Sequence, residues 1–158
     1  MGRFDIENDI QRAITAFQSE DWIQRWSAAI AIKQMAKEGI DIIPTLPALV
    51  NALNDKEINV RGHAALTLDE IIDTYKSVEE LNRYQKELEN SFGEWRRKQP
   101  PEVSVAKVRV QVEISRILVF ISHRKAKLSK GELLLGETVK KHKSGKKIYR
   151  NLRKQMNQ

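Results

Sequence analysis

Cysteine is absent from the 158 residues, and histidine occurs only three times. Without cysteine there is no disulfide staple, no thiolate nucleophile and no thiolate metal site, which agrees with a reducing compartment. His63, His123 and His142 form no i, i+4 pair and join no carboxylate cluster at ligand spacing. Each reads as a satisfied or solvated histidine rather than a metal ligand. The seven glycines are scattered, so no glycine loop is present to cradle a phosphate. Long apolar runs are missing as well. Ile117-Leu118-Val119-Phe120-Ile121 stops at five residues, far short of the about 20 that a membrane helix needs. Arg3-Phe4-Asp5-Ile6-Glu7 does not read as a secretory signal. These absences predict a soluble, cytoplasmic chain with no cofactor, no metal and no catalytic residue set.

What the chain does have is charge, and it is unevenly placed. Residues 1–122 carry 16 basic and 19 acidic groups, whereas residues 123–158 carry 12 basic and 2 acidic ones. Within the first 75 residues the balance is 7 basic against 12 acidic. The overall pI near 9.7 therefore describes the last quarter of the chain. An acidic body with a basic appendage is the pattern of a protein that seeks polyanions.

The first half repeats. A shift of 36 residues places Ile6 on Ile42, Ile10 on Leu46, Ala13 on Leu49, Arg25 on Arg61, Ala29 on Ala65 and Met35 on Ile71. The matched apolar positions recur every three or four residues, the period of one helix face. Each unit reads as two helices, at about 5–18 and 20–37, then 42–54 and 56–75. Asp5, Ser19, Asp41 and Asp55 stand just before the periodic runs, where a short oxygen side chain can accept from free backbone N–H groups. Gly39 suits the left-handed turn that ends a helix. Pro44 fits a first helical turn, and Pro47 is placed to distort that turn or delay the helix.

The stretch Ile42-Ile43-Pro44-Thr45-Leu46-Pro47-Ala48-Leu49, then Asp55 in the turn, then Val60-Arg61-Gly62-His63-Ala64-Ala65-Leu66, resembles the HEAT repeat. Residues 39–75 match that pattern well. Residues 3–38 lack the prolines and carry Trp26 and Ser27 where the second unit has Gly62 and His63. The resemblance covers about half the chain. It implies a mainly α fold, a short α-solenoid of antiparallel helix pairs, used as a scaffold or binding surface. No motif of the enzymatic HEAT-like proteins accompanies it.

Beyond the repeat, Ser77-Val78-Glu79-Glu80 is a capping-box pattern. It opens a helix over about 78–98 with Leu81, Tyr84, Leu88, Phe92 and Trp95 on one face. Pro100-Pro101 ends it. Residues 103–114 alternate like a strand, but Val110, Ile114, Ile117, Leu118 and Ile121 form a helical stripe. Helix is the better reading, because a third helix pair would cover the second, whereas a lone strand has no partner. The chain then divides into a helical repeat domain over 1–124, with pairs at about 3–38, 39–75 and 77–124, and a basic extension over 125–158. Short helices or a β-hairpin at about 138–150 both suit that extension.

The sharpest functional signal lies there. Lys140, Lys141, Lys143, Lys146, Lys147, Arg150, Arg153 and Lys154 fall within fifteen residues, with Tyr149 among them and no acid. Such cations neutralise phosphates, and a tyrosine can stack on an unpaired base. The expected partner is nucleic acid or an acidic protein. A solubilising tail, or one docked on the acidic first repeats, has the same composition. Elsewhere, Arg25 and Arg61 hold equivalent repeat positions and read as inter-repeat salt bridges, Arg61 with Asp55 or with acids of the neighbouring repeat, before they read as an anion-binding ladder. Trp22 and Trp26 read as packing residues before they read as a contact surface. Asp69, Glu70 and Asp73 read as one exposed acidic face of a helix, since acid–base work needs a pocket. The first expectation is a non-enzymatic scaffold whose basic end engages nucleic acid. The second is a protein–protein adaptor using the repeat surface, with dimerisation one way to cover open repeat ends.

Overall fold

In a computed structural model, the backbone of residues 6–156 and the side chains of residues 6–131 are described. The described residues form six helices: α1 (Ile6–Ala16), α2 (Trp22–Lys37), α3 (Leu46–Ala52), α4 (Ile58–Thr74), α5 (Val78–Arg97) and α6 (Val105–Met156). A short 3-10 turn, Ile43–Thr45, precedes α3, and no strand occurs among the described residues. The fold is mainly helical and built of packed helix pairs.

Local chemistry explains the boundaries. Ser19 Oγ accepts from the Asp21 amide at 3.1 Å, and Asp21 Oδ1 accepts from the Ile23 amide at 3.0 Å. The cap of α2 is therefore Asp21, with Ser19 holding the turn before it. Asp41 Oδ1 accepts from Ile43 N at 3.2 Å. Pro47 delays the α-helix as expected: the first turn after Ile42 is 3-10, and α3 has only seven residues. Ser77 Oγ accepts from Glu80 N at 3.1 Å, and the Glu80 carboxylate reaches back to Lys76 N at 2.8 Å. This is a capping box displaced by one residue on its return bond.

Gly39 closes α2 with φ at 81°. Its amide bonds Ala36 O and the Ile40 amide bonds Met35 O, both at 3.0 Å, the paired bonds of a Schellman ending. A Cβ at Gly39 meets nothing within 4 Å, so only backbone strain opposes a side chain there. Gly39→Ala is expected to cost about 1–2 kcal/mol in urea unfolding. An unchanged midpoint would show that this turn tolerates an ordinary residue.

The segment that alternates in sequence is helical, and burial gives the reason. Val110, Ile114, Ile117 and Ile121 are fully buried, whereas Val103 is 88 % and Val105 76 % exposed. The helical stripe found partners, and the alternating set did not.

Helix α2 packs against α4, and α4 against α6; α3 packs against α5, and α1 against α2 and the 3-10 turn. Ala29 and Ala64 are fully buried and let α2 and α4 approach closely. Across that contact Thr67 Oγ1 donates to Ala29 O at 2.9 Å; between α5 and α4, Tyr84 OH donates to Leu68 O at 2.9 Å. Each satisfies a buried polar group that would otherwise cost stability. One core runs from Ile10 to Ile121.

Helix α6 has 52 residues, a length of about 78 Å at 1.5 Å per residue. Among the described residues, Leu128 is the last apolar side chain on it that packs on the core. The boundary expected at 124/125 falls inside α6, whose backbone continues helically to Met156 where short helices or a hairpin were expected.

Candidate functional site

The repeat is visible in hydrogen bonds as well as in residue pattern. Arg25 Nη1 donates to Ser19 O at 2.8 Å and Glu20 O at 3.0 Å. Thirty-six residues on, Arg61 Nη1 donates to Asp55 O at 2.7 Å and Lys56 O at 3.3 Å. Each arginine reaches back from its helix to satisfy the turn that precedes it.

The two differ in what else they hold. Arg25 Nε donates to Asp55 Oδ2 at 2.7 Å and Arg25 Nη2 to Asp55 Oδ1 at 3.0 Å, a bidentate pair between the units. Asp55 Oδ1 also accepts from Glu57 N at 2.9 Å, tying the start of α4 into the same group. Arg61 meets the Asp55 carbonyl, not its carboxylate, so the inter-unit salt bridge belongs to Arg25. Burial by itself would push the Asp55 carboxyl up. The bonds from Arg25 and the Glu57 amide outweigh it and hold the carboxyl below its ordinary value. The bond to Asp55 in turn raises Arg25. Arg25 is 6 % exposed and spent inside the fold, which leaves it little to offer an external anion.

Trp26 packs edge-on against His63 of the second unit, ring centroids 5.2 Å apart. Its neighbour one turn earlier, Trp22, is exposed.

A groove of about 640 Å³ runs between α4 and α6. Asp69, Glu70 and Asp73 line the α4 side, and Arg116, His123, Arg124 and Lys127 the α6 side. Arg116 Nη1 donates to Asp69 Oδ2 and Arg116 Nη2 to Glu113 Oε2, both at 2.7 Å. The guanidinium lies 5.4 Å from the centre of the Phe120 ring. Glu70 pairs with Lys33 of α2 at 3.2 Å. The acidic patch is thus largely cross-braced by cations from both neighbouring helices, and only Asp73 is exposed. Burial pushes the Asp69 carboxyl up, with Arg116 pulling the other way. Three polar atoms of groove-lining residues are buried without a hydrogen bond: Asp69 Oδ1, Arg124 Nε and Glu70 Oε2, the last ion-paired with Lys33.

An acid raised in the folded state opposes folding at neutral pH, and that cost fades as pH falls through its folded pKa. Asp69→Asn is therefore expected to change stability by less than about 0.5 kcal/mol, or to stabilise, at pH 7. Its difference from the parent chain should shrink under acid. Denaturant titrations at both pH values check this; a loss of several kcal/mol would make the Arg116 pair a net stabiliser.

Sequence reasoning missed Arg116 and Arg124, because their partners Asp69 and Tyr75 lie 47 and 49 residues away. The only local signal was their place beside the stripe of Ile114, Ile117 and Ile121. Lys140, Lys141, Lys143, Lys146, Lys147, Tyr149, Arg150, Arg153 and Lys154 lie on the distal part of α6. Their side chains lie outside the described residues. Among the described residues, no group of histidine and carboxylates is placed to hold a metal ion, and no helix is long and apolar enough to cross a membrane. Set beside known protein families, curated proteins and solved structures, the chain matches none of them.

Proposed function

We propose that this protein is a non-enzymatic scaffold, a short HEAT-like α-solenoid whose basic C-terminal helix end captures nucleic acid by charge. The repeated arginine-to-turn bonds at a spacing of 36 residues support the repeat reading. The observation that carries the capture reading is the continuation of α6 to Met156, well past the last described core contact at Leu128. Along a helix, positions 140, 143, 147, 150 and 154 share one face, and all five are lysine or arginine. That spacing turns a basic composition into a cationic edge about 21 Å long, at 1.5 Å per residue. Phosphates along a strand would displace their counterions onto such an edge without regard to base sequence. The repeat body would position the complex or recruit a second protein.

The test is binding of the full chain to labelled single- and double-stranded oligonucleotides across a salt series. The control is a variant with Lys140, Lys143, Lys147, Arg150 and Lys154 replaced by glutamine. Binding that weakens steeply with salt and is lost in the variant supports capture. Equal binding by both chains places the anion site elsewhere, and no binding at low salt removes the reading.

A second reading is a protein–protein adaptor with no nucleic-acid role. The groove between α4 and α6, with carboxylates on one wall and cations on the other, favours it. A partner captured there would be insensitive to the glutamine substitutions.

A further inference from the structure

Two exposed surfaces of this chain are opposite in character, an apolar ridge bordered by cations and an apolar groove flanked by acids. The first is the outer face of α6. Val105, Val108, Val112 and Val119 are 76, 51, 57 and 53 % exposed. Their spacing puts them in one row, opposite the buried row of Val110, Ile114, Ile117 and Ile121. Isolated exposed valines are ordinary, but four on one helix face form an apolar ridge that a partner could cover. The row is stiff, because β-branched side chains lose little rotamer freedom on contact. Exposed Arg109, His123, Lys127 and Lys130 border it. Glu113, the one acid between 105 and 131, is taken by Arg116.

The second surface is a groove of about 500 Å³ between α1 and α2. Ala13, Ala16, Ala28, Ala31 and Met35 line it with apolar surface, and Asp9, Arg12 and Glu38 are its charged residues. Small residues make a floor that a ridge on another helix can enter. The charge here is opposite. Arg25 and Lys33 are drawn inward to Asp55 and Glu70. Arg12 pairs with Asp9 at 3.7 Å, so what remains on and around α1 and α2 is Lys37 against Glu7, Glu20, Asp21 and Glu38.

Within one chain α4 stands between α2 and α6, so another molecule must bring the two surfaces together. We propose that the valine row of α6 seats in the α1–α2 groove of a second copy. The contact is heterologous, with different surfaces on the two molecules, and it does not close on itself. Copies therefore add end to end, continuing the packing of α2, α4 and α6 from one molecule into the next. This inference does not depend on the nucleic-acid reading, because it uses the proximal half of α6.

The test is sedimentation of the full chain over a wide concentration range, at low and high salt. Species that grow past the dimer with concentration, and retreat at high salt, are expected. Val112→Asp damages the ridge and Ala31→Arg blocks the groove. Both positions are exposed, so the fold should survive, which circular dichroism checks. Each variant by itself is expected to be monomeric. An equal mixture should give one heterodimer and nothing larger, since each variant retains the surface the other lacks. A Val108→Ser, Val119→Ser chain, which adds no charge, should associate roughly tenfold more weakly. A monomeric parent chain at all concentrations overturns the proposal. So does loss of association in Val112→Asp but not in Ala31→Arg, which would mean a symmetric α6–α6 contact. Folded variants that do not combine overturn it as well.

Discussion

Replacing Arg25 with methionine is expected to lower the unfolding free energy by about 3–5 kcal/mol, the usual cost of stranding a buried charge. The partner left behind is Asp55, whose side chain is only 10 % exposed. The carbonyls of Ser19 and Glu20 lose their donor in the same step. For a chain of this size the melting temperature should fall by on the order of 10 °C. Arg61→Met is the internal control, because it removes the equivalent bonds to turn carbonyls but no buried ion pair. It should cost only about 1 kcal/mol. Equal losses from the two substitutions would refute the asymmetry between the units.

Acid provides a second check on the same pair. The Asp55 carboxyl is held below its ordinary value of 3.8 in the folded chain. A carboxyl lowered by folding contributes stability that is fully present above its unfolded pKa and is lost as pH falls through the folded one. The gap between the parent chain and Arg25→Met should therefore be widest at neutral pH and narrow below about pH 4. A gap constant through that range would mean that the arginine acts through packing and the turn carbonyls rather than through the Asp55 charge.

Affinity for an oligonucleotide should collapse with salt. If six or more of the eight cations between 140 and 154 meet phosphates, affinity falls ~10³–10⁵-fold between about 50 and 200 mM salt. Each lysine changed to glutamine should reduce the slope of log affinity against log salt by about 1. Tyr149→Ala separates the strand types. Stacking on an unpaired base is worth about 1–3 kcal/mol, so this variant should weaken single-strand binding and leave duplex binding nearly unchanged. A slope that stays flat through the glutamine series would mean that the cluster does not touch phosphate.

Much of the fold was legible because its determinants are local. The three-and-four spacing of apolar residues, Asp41 before its turn, Gly39 after α2 and the Ser77–Glu80 pattern all act within one turn of helix. Their consequences therefore follow from nearest neighbours. Residues 103–114 were harder, since Val103, Val105, Val108, Val110 and Val112 satisfy a strand pattern as well as a helical one. Only the burial of Val110 with Ile114, Ile117 and Ile121 distinguishes the two. The acidic patch on α4 was misjudged as a freely exposed face for a related reason. Whether Asp69 faces water depends on Arg116, 47 residues later, and no local spacing encodes that distance.

By itself, then, the sequence determined the helical class, the 36-residue repeat, the turn chemistry and the separation of an acidic body from a basic end. Those follow from composition and from interactions over three or four residues. The tertiary structure decided which equivalent arginine takes the Asp55 carboxylate, which charges are spent inside the fold and which valines of α6 remain outside. Those outcomes depend on how α2, α4 and α6 lie against one another. Burial and ion pairing between distant segments exist only after the helices have packed.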